Sequence, residues 1–342
     1  MSEKKIYNAC AKLVKGSDFD SHNHFYSKVL NAQLHPLVQY LFRLSKKQII
    51  SRYCHLNPLV DPLILDNILS YRPIHIPWAG TDLFHVTTEK GNRKMVIIET
   101  NSSPSGQKSM PLIDENQEMG GYYQLMKNTF LQRLKGKKLI NGKLAVIYDK
   151  NHMEASGYAA SLAEITNEEV YFIPFYKDDP NPGVKVENKI IYVRDENNHW
   201  HPVRALFRYL TQKPWNRLPI HSKTRILNPI LACLAGGRNK ALAAKAYEIF
   251  NGELMGSGLK INTPYTILDL HKHEIPLWVR RFGGHAVIKN PYSNAGQGVY
   301  TITNEKELED FMNSEQNYDL FLIQSLIGNY HWSTSVEQGR YY

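Results

Sequence analysis

A lysine and a glycine-rich loop stand next to each other late in the sequence, and together they could bind an anion. Apolar runs predict one strand over 285–290, which contains Lys289, and a second strand over 299–303. The loop between them contains Gly296 and Gly298, which can adopt positive φ and have no Cβ. Backbone N–H groups of such a loop can surround an oxyanion, and the lysine adds a positive charge. The segment therefore predicts a phosphate-binding hairpin; a purely structural hairpin with a glycine-rich turn is the alternative.

Oxygen ligands suited to a hard cation lie much earlier in the chain. Glu99 and Asn101 end a strand predicted over 94–101, and a period of two places both side chains on the same face. A partner strand is predicted over 80–86, so Asp82 would lie close to Glu99. Carboxylate and amide oxygens could hold Mg²⁺ while phosphate groups complete its coordination shell. The alternative is that these polar side chains contact solvent at the strand ends or cap the helix that follows.

A positively charged helix start is the third candidate site. Gly236 and Gly237 are predicted to end one helix, so that Arg238 and Lys240 lie at the start of the next, which is predicted over 241–250. The free backbone N–H groups of a helix N-terminus, together with two cationic side chains, favour an anion. A basic helix cap in contact with solvent is the alternative.

The elements around these residues alternate between helices and strands. Helical spacing predicts two or three helices over 25–70, interrupted by prolines. A buried strand over 143–149, a helix over 154–166 and a strand over 170–174 form a βαβ pattern, which predicts a parallel sheet. No G-x-G-x-x-G follows the first strand, so a nicotinamide site is not supported. The sequence therefore predicts an α/β (α+β) fold.

Composition restricts the expected partners and compartment. The 342 residues carry a formal net charge of +9, but no block of about five or more like charges occurs, which argues against a nucleic-acid-binding arm. An odd set of three cysteines, none in a C-x-x-C motif, predicts reduced thiols in an intracellular protein. The N-terminus has no apolar signal region, and no apolar run of about 18 residues occurs. We therefore expect a cytoplasmic protein without a membrane partner.

With these motifs in place, the sequence resembles the ATP-grasp superfamily over about residues 80–330. A lysine on the strand before a flexible loop is the order of the ATP-grasp lid. Protein kinases place the lysine after their glycine loop, and P-loop proteins need G-x-x-x-x-G-K-[ST], which is absent here. The resemblance implies that Lys240 and Lys289 hold the phosphates of ATP.

The resemblance also assigns a loop and a strand to the nucleotide. The residues implied to close over the phosphates are Ser293, Asn294, Ala295, Gly296, Gln297 and Gly298. The strand predicted over 318–324 would lie beside adenine. Its candidate contacts with the base are Gln324 and Leu326, and a plain buried strand is the alternative.

A closer but weaker similarity is to the synthetase domain of glutathionylspermidine synthetases. In that family an Asp on one strand and a Glu-x-Asn on the next supply magnesium ligands in a permuted chain order, and Asp82, Glu99 and Asn101 match them. The family's arginine, two residues before the Asp, is a glycine here, so Arg208, Arg238 or another residue takes over the stabilisation of the reacting phosphate, or that stabilisation is absent. If the order is not permuted, the metal ligands must lie beyond the last residue; we favour permutation.

The resemblance implies three consecutive segments and an activity. Residues 1–139 would hold helices and the metal-ligand strands, 140–222 an α/β pre-grasp domain, and 223–342 the nucleotide-binding part with its lid hairpin at 282–303. The implied activity is an ADP-forming ligase that uses ATP and Mg²⁺ to join a small-molecule carboxylate to an amine through an acyl phosphate. The alternatives are an ATP-grasp kinase for a small molecule and a nucleotide-binding protein without turnover.

Overall fold

The chain forms two compact units that alternate along the sequence. The computed structural model describes residues 9–27, 33–88, 90–102, 104–110, 114, 117–135, 138–234, 238–293, 298–328, 331–333 and 338–340. The first unit comprises residues 1–45, 72–78 and 103–232, and the second comprises 46–71, 79–102 and 233–342. The segments expected from the sequence are consecutive instead. Local patterns report on neighbouring residues, and they do not reveal that distant stretches of chain share one unit.

Strands and helices that the described residues form are numbered here in chain order. The strands are β1 (Lys12–Val14), β2 (Gly80–Thr87), β3 (Arg93–Asn101), β4 (Lys143–Tyr148), β5 (Val170–Pro174), β6 (Val184–Glu187), β7 (Ile190–Arg194), β8 (Trp200–Tyr209), β9 (Arg225–Leu227), β10 (Thr266–His271), β11 (Ala286–Lys289), β12 (Val299–Ile302), β13 (Leu320–Ser325), β14 (His331–Ser333) and β15 (Gln338–Arg340). The helices are α1 (Ser21–His24), α2 (Pro36–Phe42), α3 (Lys46–Leu56), α4 (Pro62–Ser70), α5 (Gly120–Leu125), α6 (Leu131–Leu134), α7 (His152–Thr166), α8 (Ile230–Ala232), α9 (Lys240–Glu253), α10 (Ile275–Arg281) and α11 (Glu305–Asn313), with a π-helical turn, Met126–Phe130, between α5 and α6. Across the described part of the chain, no helix has the length and apolar character that a membrane crossing needs.

The helices predicted over 25–70 are α2, α3 and α4. Pro36 and Pro62 each occupy the first position of a helix, where the missing N–H has no helical partner to lose. The carboxylate of Asp61 caps α4 by accepting hydrogen bonds from the backbone N–H groups of Leu63 and Ile64. Proline and cap together explain why the helix begins there.

The first unit is built on a mixed sheet of seven strands, in the order β1-β5-β4-β8-β7-β6, with β9 beside β8. Strand β4 pairs in parallel with β5 and β8, and β8 pairs in parallel with β9. The edge strand β1 is antiparallel to β5, and β6 and β7 continue the sheet in antiparallel pairs. The predicted βαβ arrangement of β4, α7 and β5, its parallel pairing and the mixed α/β class are therefore confirmed.

Apolar side chains cover both faces of this sheet. Leu144 and Val146 of β4 pack on one face with Tyr158 of α7, whereas Ala145 and Ile147 pack on the other face. All five residues are completely buried. A strand buried on both faces needs apolar residues at every position, which explains the continuous apolar run in β4.

A buried carboxylate of α7 forms hydrogen bonds with residues 105–107. Glu154, in the first turn of α7, is completely buried. It accepts hydrogen bonds from the backbone N–H groups of Gly106 and Gln107 at 2.9 and 2.8 Å. Three hydroxyl groups also donate to it at distances between 2.8 and 3.1 Å, those of Ser105, Tyr158 and Tyr209. These five donors replace the water that the carboxylate loses on folding.

The second unit contains a four-stranded antiparallel sheet in the order β10-β13-β11-β12. The lysine hairpin predicted from the sequence is β11 and β12, and the strand predicted over 318–324 is β13. Val279 of α10 and Phe311 of α11 pack with Ile288 and Ile323 of the sheet. This core holds β11 between β12 and β13, and with it Lys289 at the end of the strand.

An antiparallel hairpin of β2 and β3 also belongs to the second unit. Asp82 pairs directly with Glu99, as predicted. The next pair joins Leu83 to Ile97, so that Ile98 is the extra residue of a bulge in β3. The bulge lies immediately before the residues that were expected to bind a metal.

Replacing Glu154 with Leu should lower the free energy of unfolding by about 3 kcal/mol or more, because two backbone N–H groups and three hydroxyl groups lose their acceptor. Glu154→Gln should cost less, since its amide oxygen still accepts from the N–H groups and the hydroxyl groups can rotate. Urea denaturation measures both changes. Glu169→Gln, which removes an exposed ion pair with Lys143, is the control and should change little. Equal effects at the two positions would contradict the role of the buried carboxylate.

Candidate functional site

A cavity of about 560 Å³ lies within the second unit, and all the residues that line it belong to that unit. Its walls come from β3, α9, β10, β13 and the end of β11. The polar side chains that line it include Glu99, Lys240, Tyr247, Thr266, Lys289 and Gln324. The volume lies in the range of small-molecule binding sites.

Lys240 is the first residue of α9, so the start of that helix fixes its position. The side chain of Asn239 caps the helix by accepting a hydrogen bond from the backbone N–H of Leu242 at 3.0 Å. The ammonium group of Lys240 lies 3.7 Å from Oε1 of Glu99. It also donates to the carbonyl oxygen and the hydroxyl of Ser293, at 2.8 and 3.0 Å. One lysine thus joins α9, β3 and the loop after β11.

Lys289 ends β11 and is buried, with 7% of its surface exposed. Its ammonium group donates to the carbonyl oxygen of Ile98 at 3.3 Å. Because Ile98 is the extra residue of the bulge in β3, it is left out of the regular strand pairing, and its carbonyl is available to the lysine. The bulge therefore positions the ammonium group of Lys289 against β3 at Ile98, the residue directly before Glu99.

Four lysines and two glutamates line this cavity, and one of the lysines, Lys245, forms an ion pair with Glu248 at 2.9 Å. Burial is the main effect that lowers the pKa of Lys240 and the pKa of Lys289, and the charge of Glu99 opposes it at both lysines. Repulsion adds to the effect of burial. The charge of Arg238 lowers the pKa of Lys240 further, and the charge of Lys240 lowers the pKa of Lys289. An anionic ligand would supply negative charge and stabilise both ammonium groups.

A backbone hydrogen bond closes the loop that joins β11 to β12. The backbone N–H of Asn290 donates to the carbonyl oxygen of Gly298 at 2.8 Å. Gly298 has a φ of 67°, and a Cβ there would lie 2.5 Å from Nδ2 of Asn290, so this position favours glycine. The hydroxyl of Ser293 donates to the carbonyl oxygen of Asn290 at 3.3 Å. The remaining loop residues expected to cover a phosphate lie outside the described residues: Asn294, Ala295, Gly296 and Gln297.

Asp82, Glu99 and Asn101 share one face of the β2–β3 hairpin. Asp82 and Glu99 lie directly opposite each other, and Nδ2 of Asn101 donates to Oδ2 of Asp82 at 3.2 Å. Of the three, Glu99 lines the cavity. Within the described ranges, no group of three or more His, Cys, Asp or Glu side chains could enclose a metal ion. Two carboxylates and an amide instead fit Mg²⁺, which is held by few protein ligands together with phosphate oxygens and water.

The strand expected beside adenine is β13, and its two candidate residues differ in position. Gln324 lines the cavity and is 7% exposed, and its amide donates to the hydroxyl of Thr266 at 3.0 Å. Leu326 lies just beyond the end of β13, is 39% exposed and does not line the cavity. The structure therefore brings Gln324 to the lysines' cavity, and the contact of Leu326 with a base stays a prediction.

The two candidate arginines belong to different units. Arg238 precedes α9 in the second unit, and its Nε is buried without a hydrogen-bond partner among the described residues. Arg208 belongs to the first unit, where it is completely buried in β8 and donates to the carbonyl oxygen of Trp215 at 3.3 Å. Neither guanidinium group lines the cavity of the second unit. A role of either residue at a reacting phosphate stays a prediction.

One face of α9 contributes residues that the sequence patterns did not single out. The hydroxyl of Tyr247 shares a hydrogen bond with the hydroxyl of Thr100 in β3. The side chain of Asn251 donates to the carbonyl oxygen of Ile261 at 2.9 Å and accepts from its N–H at 2.8 Å. Spacings of seven and four residues place both side chains on the same helix face as Lys240. Helical periodicity counted from that lysine is the signal that could have found them.

Comparisons with known proteins return solved structures only. No protein-family model matches the sequence, and no curated protein matches it. The chain is 15% identical to a RimK domain ATP-grasp protein from Sphaerobacter thermophilus, over 54% of this chain and 64% of that one, with a TM-score of 0.39. It is 12% identical to D-alanyl-alanine synthetase A from Vibrio cholerae, over 59% of this chain and 66% of that one, with a TM-score of 0.42. It is also 12% identical to a glutathione synthetase-like effector from Globodera pallida, over 88% of this chain and 73% of that one, with a TM-score of 0.45.

One of these three structures is described as an ATP-grasp protein. This is the superfamily that the sequence resembles. The chain spans less than two thirds of the length of the first two structures. At these identities and TM-scores the similarity carries no argument about a reaction, so the case for one depends on the residues of the cavity.

Binding of ATP without metal should weaken as the pH rises into the alkaline range. In the free protein burial lowers the pKa of Lys240 and of Lys289, whereas bound phosphate would raise both, so binding takes up protons once the free lysines begin to lose theirs. The affinity should be constant below the lowered pKa values, fall as the pH rises through them, and level off above the pKa values of the complex. Calorimetry in two buffers with different heats of ionisation measures the proton uptake. Lys289→Met should reduce it; proton release, or an affinity independent of pH, would contradict this electrostatic account.

Proposed function

We propose that this chain is an ATP-dependent, ADP-forming ligase that joins a small-molecule carboxylate to an amine. The observation that carries the proposal is the pair Lys240 and Lys289, which share one cavity with Glu99; Lys289 is buried, and the side chain of Lys240 is 10% exposed. The four lysines that line the cavity bring more positive charge than its two glutamates balance. A polyphosphate is the class of ligand that such a site favours, because its oxygens accept charge-assisted hydrogen bonds from Lys240 and Lys289.

The two lysines would hold the phosphates of ATP. Lys240 donates to Ser293 in the free protein, so a phosphate oxygen would compete with that residue and link ligand binding to the position of the loop. The loop over 292–298 would then cover the phosphates. The base would lie towards Gln324, where Ile267 and Leu322 supply apolar surface to the same cavity.

The hairpin of β2 and β3 would hold the metal. Asp82, Glu99 and Asn101 supply the oxygen ligands, and Glu99 is the one that already lines the cavity. When bound, Mg²⁺ would neutralise charge on the phosphates during transfer. The negative charge of Glu99 also stabilises the ammonium form of both lysines, so one carboxylate would serve the metal and the cations together. The charge of Arg238 beside Lys240 is the further candidate for stabilising the reacting phosphate.

Ligation would proceed in two steps that share the cavity. An oxygen of the carboxylate substrate would attack the terminal phosphorus of ATP, which forms an acyl phosphate and releases ADP. The amine would then attack the carbonyl carbon, which forms the amide, releases phosphate and frees a proton. Phosphorylation turns a poor leaving oxygen into a good one. Water would hydrolyse the intermediate, so closure of the loop after Lys289 would protect it.

Product analysis tests the reaction. With ATP, Mg²⁺ and panels of carboxylates and amines, phosphate and ADP should form together with an amide, which mass spectrometry identifies. Lys289→Met should reduce phosphate release roughly 100-fold, because it removes a cation that contacts the transferred charge. Lys306→Met removes an exposed cation of α11 and should have no effect. A phosphoester without free phosphate would identify a small-molecule kinase instead, and bound ATP without turnover would identify a nucleotide-binding protein.

The variant Glu99→Gln distinguishes an effect on the metal from an effect on nucleotide binding. The change keeps the shape of the side chain and removes a negative charge, so phosphate release that depends on Mg²⁺ should fall roughly 100-fold. Metal-free ATP should bind at least as tightly as before, because the carboxylate no longer repels the phosphates. Titration of ATP with and without Mg²⁺ measures the two effects. A loss of metal-free ATP binding in this variant would count against Glu99 as a metal ligand.

A further inference from the structure

A second cavity, of about 380 Å³, lies within the first unit. Its lining comes from residues 74–77, from Arg133 in α6, and from the segment 220–231, which includes β9 and the start of α8. None of the residues proposed to hold ATP or Mg²⁺ contributes to it. The proposed ligase site therefore does not account for this cavity.

The ionisable side chains that line this cavity are all basic: His75, Arg133, His221 and Arg225. The guanidinium groups are close enough for the charge of Arg225 to lower the pKa of Arg133, after the larger effect of burial. In the ranges that the structure describes, no carboxylate forms an ion pair with either arginine. Two neighbouring cations without a counterion favour an anion that contacts both.

Secondary structure places both arginines. Nη2 of Arg133 donates to the carbonyl oxygen of Pro73 at 2.7 Å, which orients the guanidinium group. Arg225 begins β9, where it is aligned with Ala205 of the parallel neighbour β8. A guanidinium group binds a carboxylate through two parallel N–H donors, a geometry that lysine does not supply. The cavity thus presents planar, directional donors, in contrast to the ammonium groups of the second unit.

Apolar side chains form another part of the wall. Ile74 and Ile220 line the cavity, although they are 67% and 49% exposed. Pro77 and Leu231 line it as well. A bare inorganic anion would leave these isoleucines in water, whereas a ligand with an apolar body would cover them and gain the free energy of their burial.

We infer that this cavity binds a small organic acid through its carboxylate. Arg133 and Arg225 hold the carboxylate group, and the apolar body of the acid covers Ile74 and Ile220. The volume suits a ligand of small-metabolite size. The inference does not rest on the proposed ligase reaction, because it uses residues of the first unit alone.

A chain-length series tests the class of ligand. The full chain is titrated with acetate, butyrate and hexanoate, and separately with inorganic phosphate, and binding is followed by calorimetry or by the ligand's NMR signals. The affinity should rise by about fourfold for each added methylene that reaches the apolar wall. Hexanoate should bind more tightly than phosphate. An affinity independent of chain length, tighter binding of phosphate, or no saturable binding would each overturn the inference.

Variants test the place of binding. Arg225→Gln should weaken hexanoate binding by about tenfold or more. Arg225→Lys should weaken it less, but should not keep the full affinity, because lysine keeps the charge and loses the fork of donors. Lys306→Met, which removes an exposed cation elsewhere, is the control and should not change it. Binding that survives Arg225→Gln, or that disappears in Lys289→Met, would belong to another site and overturn the inference.

A second substitution keeps the test decisive if Arg225→Gln does not fold. Ile220 is half exposed, so Ile220→Glu places a negative charge at the wall with little loss of packing. It should abolish hexanoate binding while the melting temperature without ligand stays close to that of the unchanged chain. Unaltered hexanoate binding in this variant would overturn the inference. A failure of ATP to bind or turn over would leave all of these results as they are, which separates this inference from the ligase proposal.

Discussion

The placement of Lys240 and Lys289, both largely withdrawn from solvent, beside Glu99 is the constraint on which the second unit depends. A buried cation without a partner is strongly unfavourable, so each lysine must meet an acceptor as the chain folds. Lys240 meets Glu99 and Ser293, and Lys289 meets the carbonyl oxygen of Ile98. These acceptors lie on β3 and on the loop after β11. The unit must therefore bring β3, α9 and β11 together before either lysine can be buried, and a phosphate would enter a site whose cations are already in place.

Strand β3 can serve both lysines because it is attached to the second unit along its length. The backbone N–H of Ile97 donates to the carbonyl oxygen of Asn262 at 2.8 Å, and Thr100 shares its hydrogen bond with Tyr247 of α9. Glu99 stands between these two attachments. It reaches Lys240 from a hairpin that precedes both lysines in the sequence.

Local patterns predicted much of this structure, and their failures share a cause. Apolar periodicity and turn residues predicted the lysine hairpin, the βαβ unit and the pairing of Asp82 with Glu99, because each depends on residues that are close in sequence. The alternation of the two units was not predicted, since it depends on contacts between distant stretches. The carbonyl group of Ile98 was missed for a similar reason. It becomes an acceptor through a bulge, and a bulge is a property of the pairing of two strands rather than of one sequence. The complete burial of Arg208 was not predicted either.

The two cavities hold their positive charge in different ways. An ammonium group loses its proton more readily when it is buried, and burial lowers the pKa of Lys240 and the pKa of Lys289. A guanidinium group starts from a much higher pKa, so burial and the neighbouring Arg225 lower the pKa of Arg133 without removing its charge at neutral pH. A phosphate bound in the second unit would raise the pKa of both lysines, so its affinity would fall as the pH rises through their lowered pKa values. The arginines of the first unit keep a constant charge, and their selectivity must come from the geometry of the donors and from the apolar wall beside them.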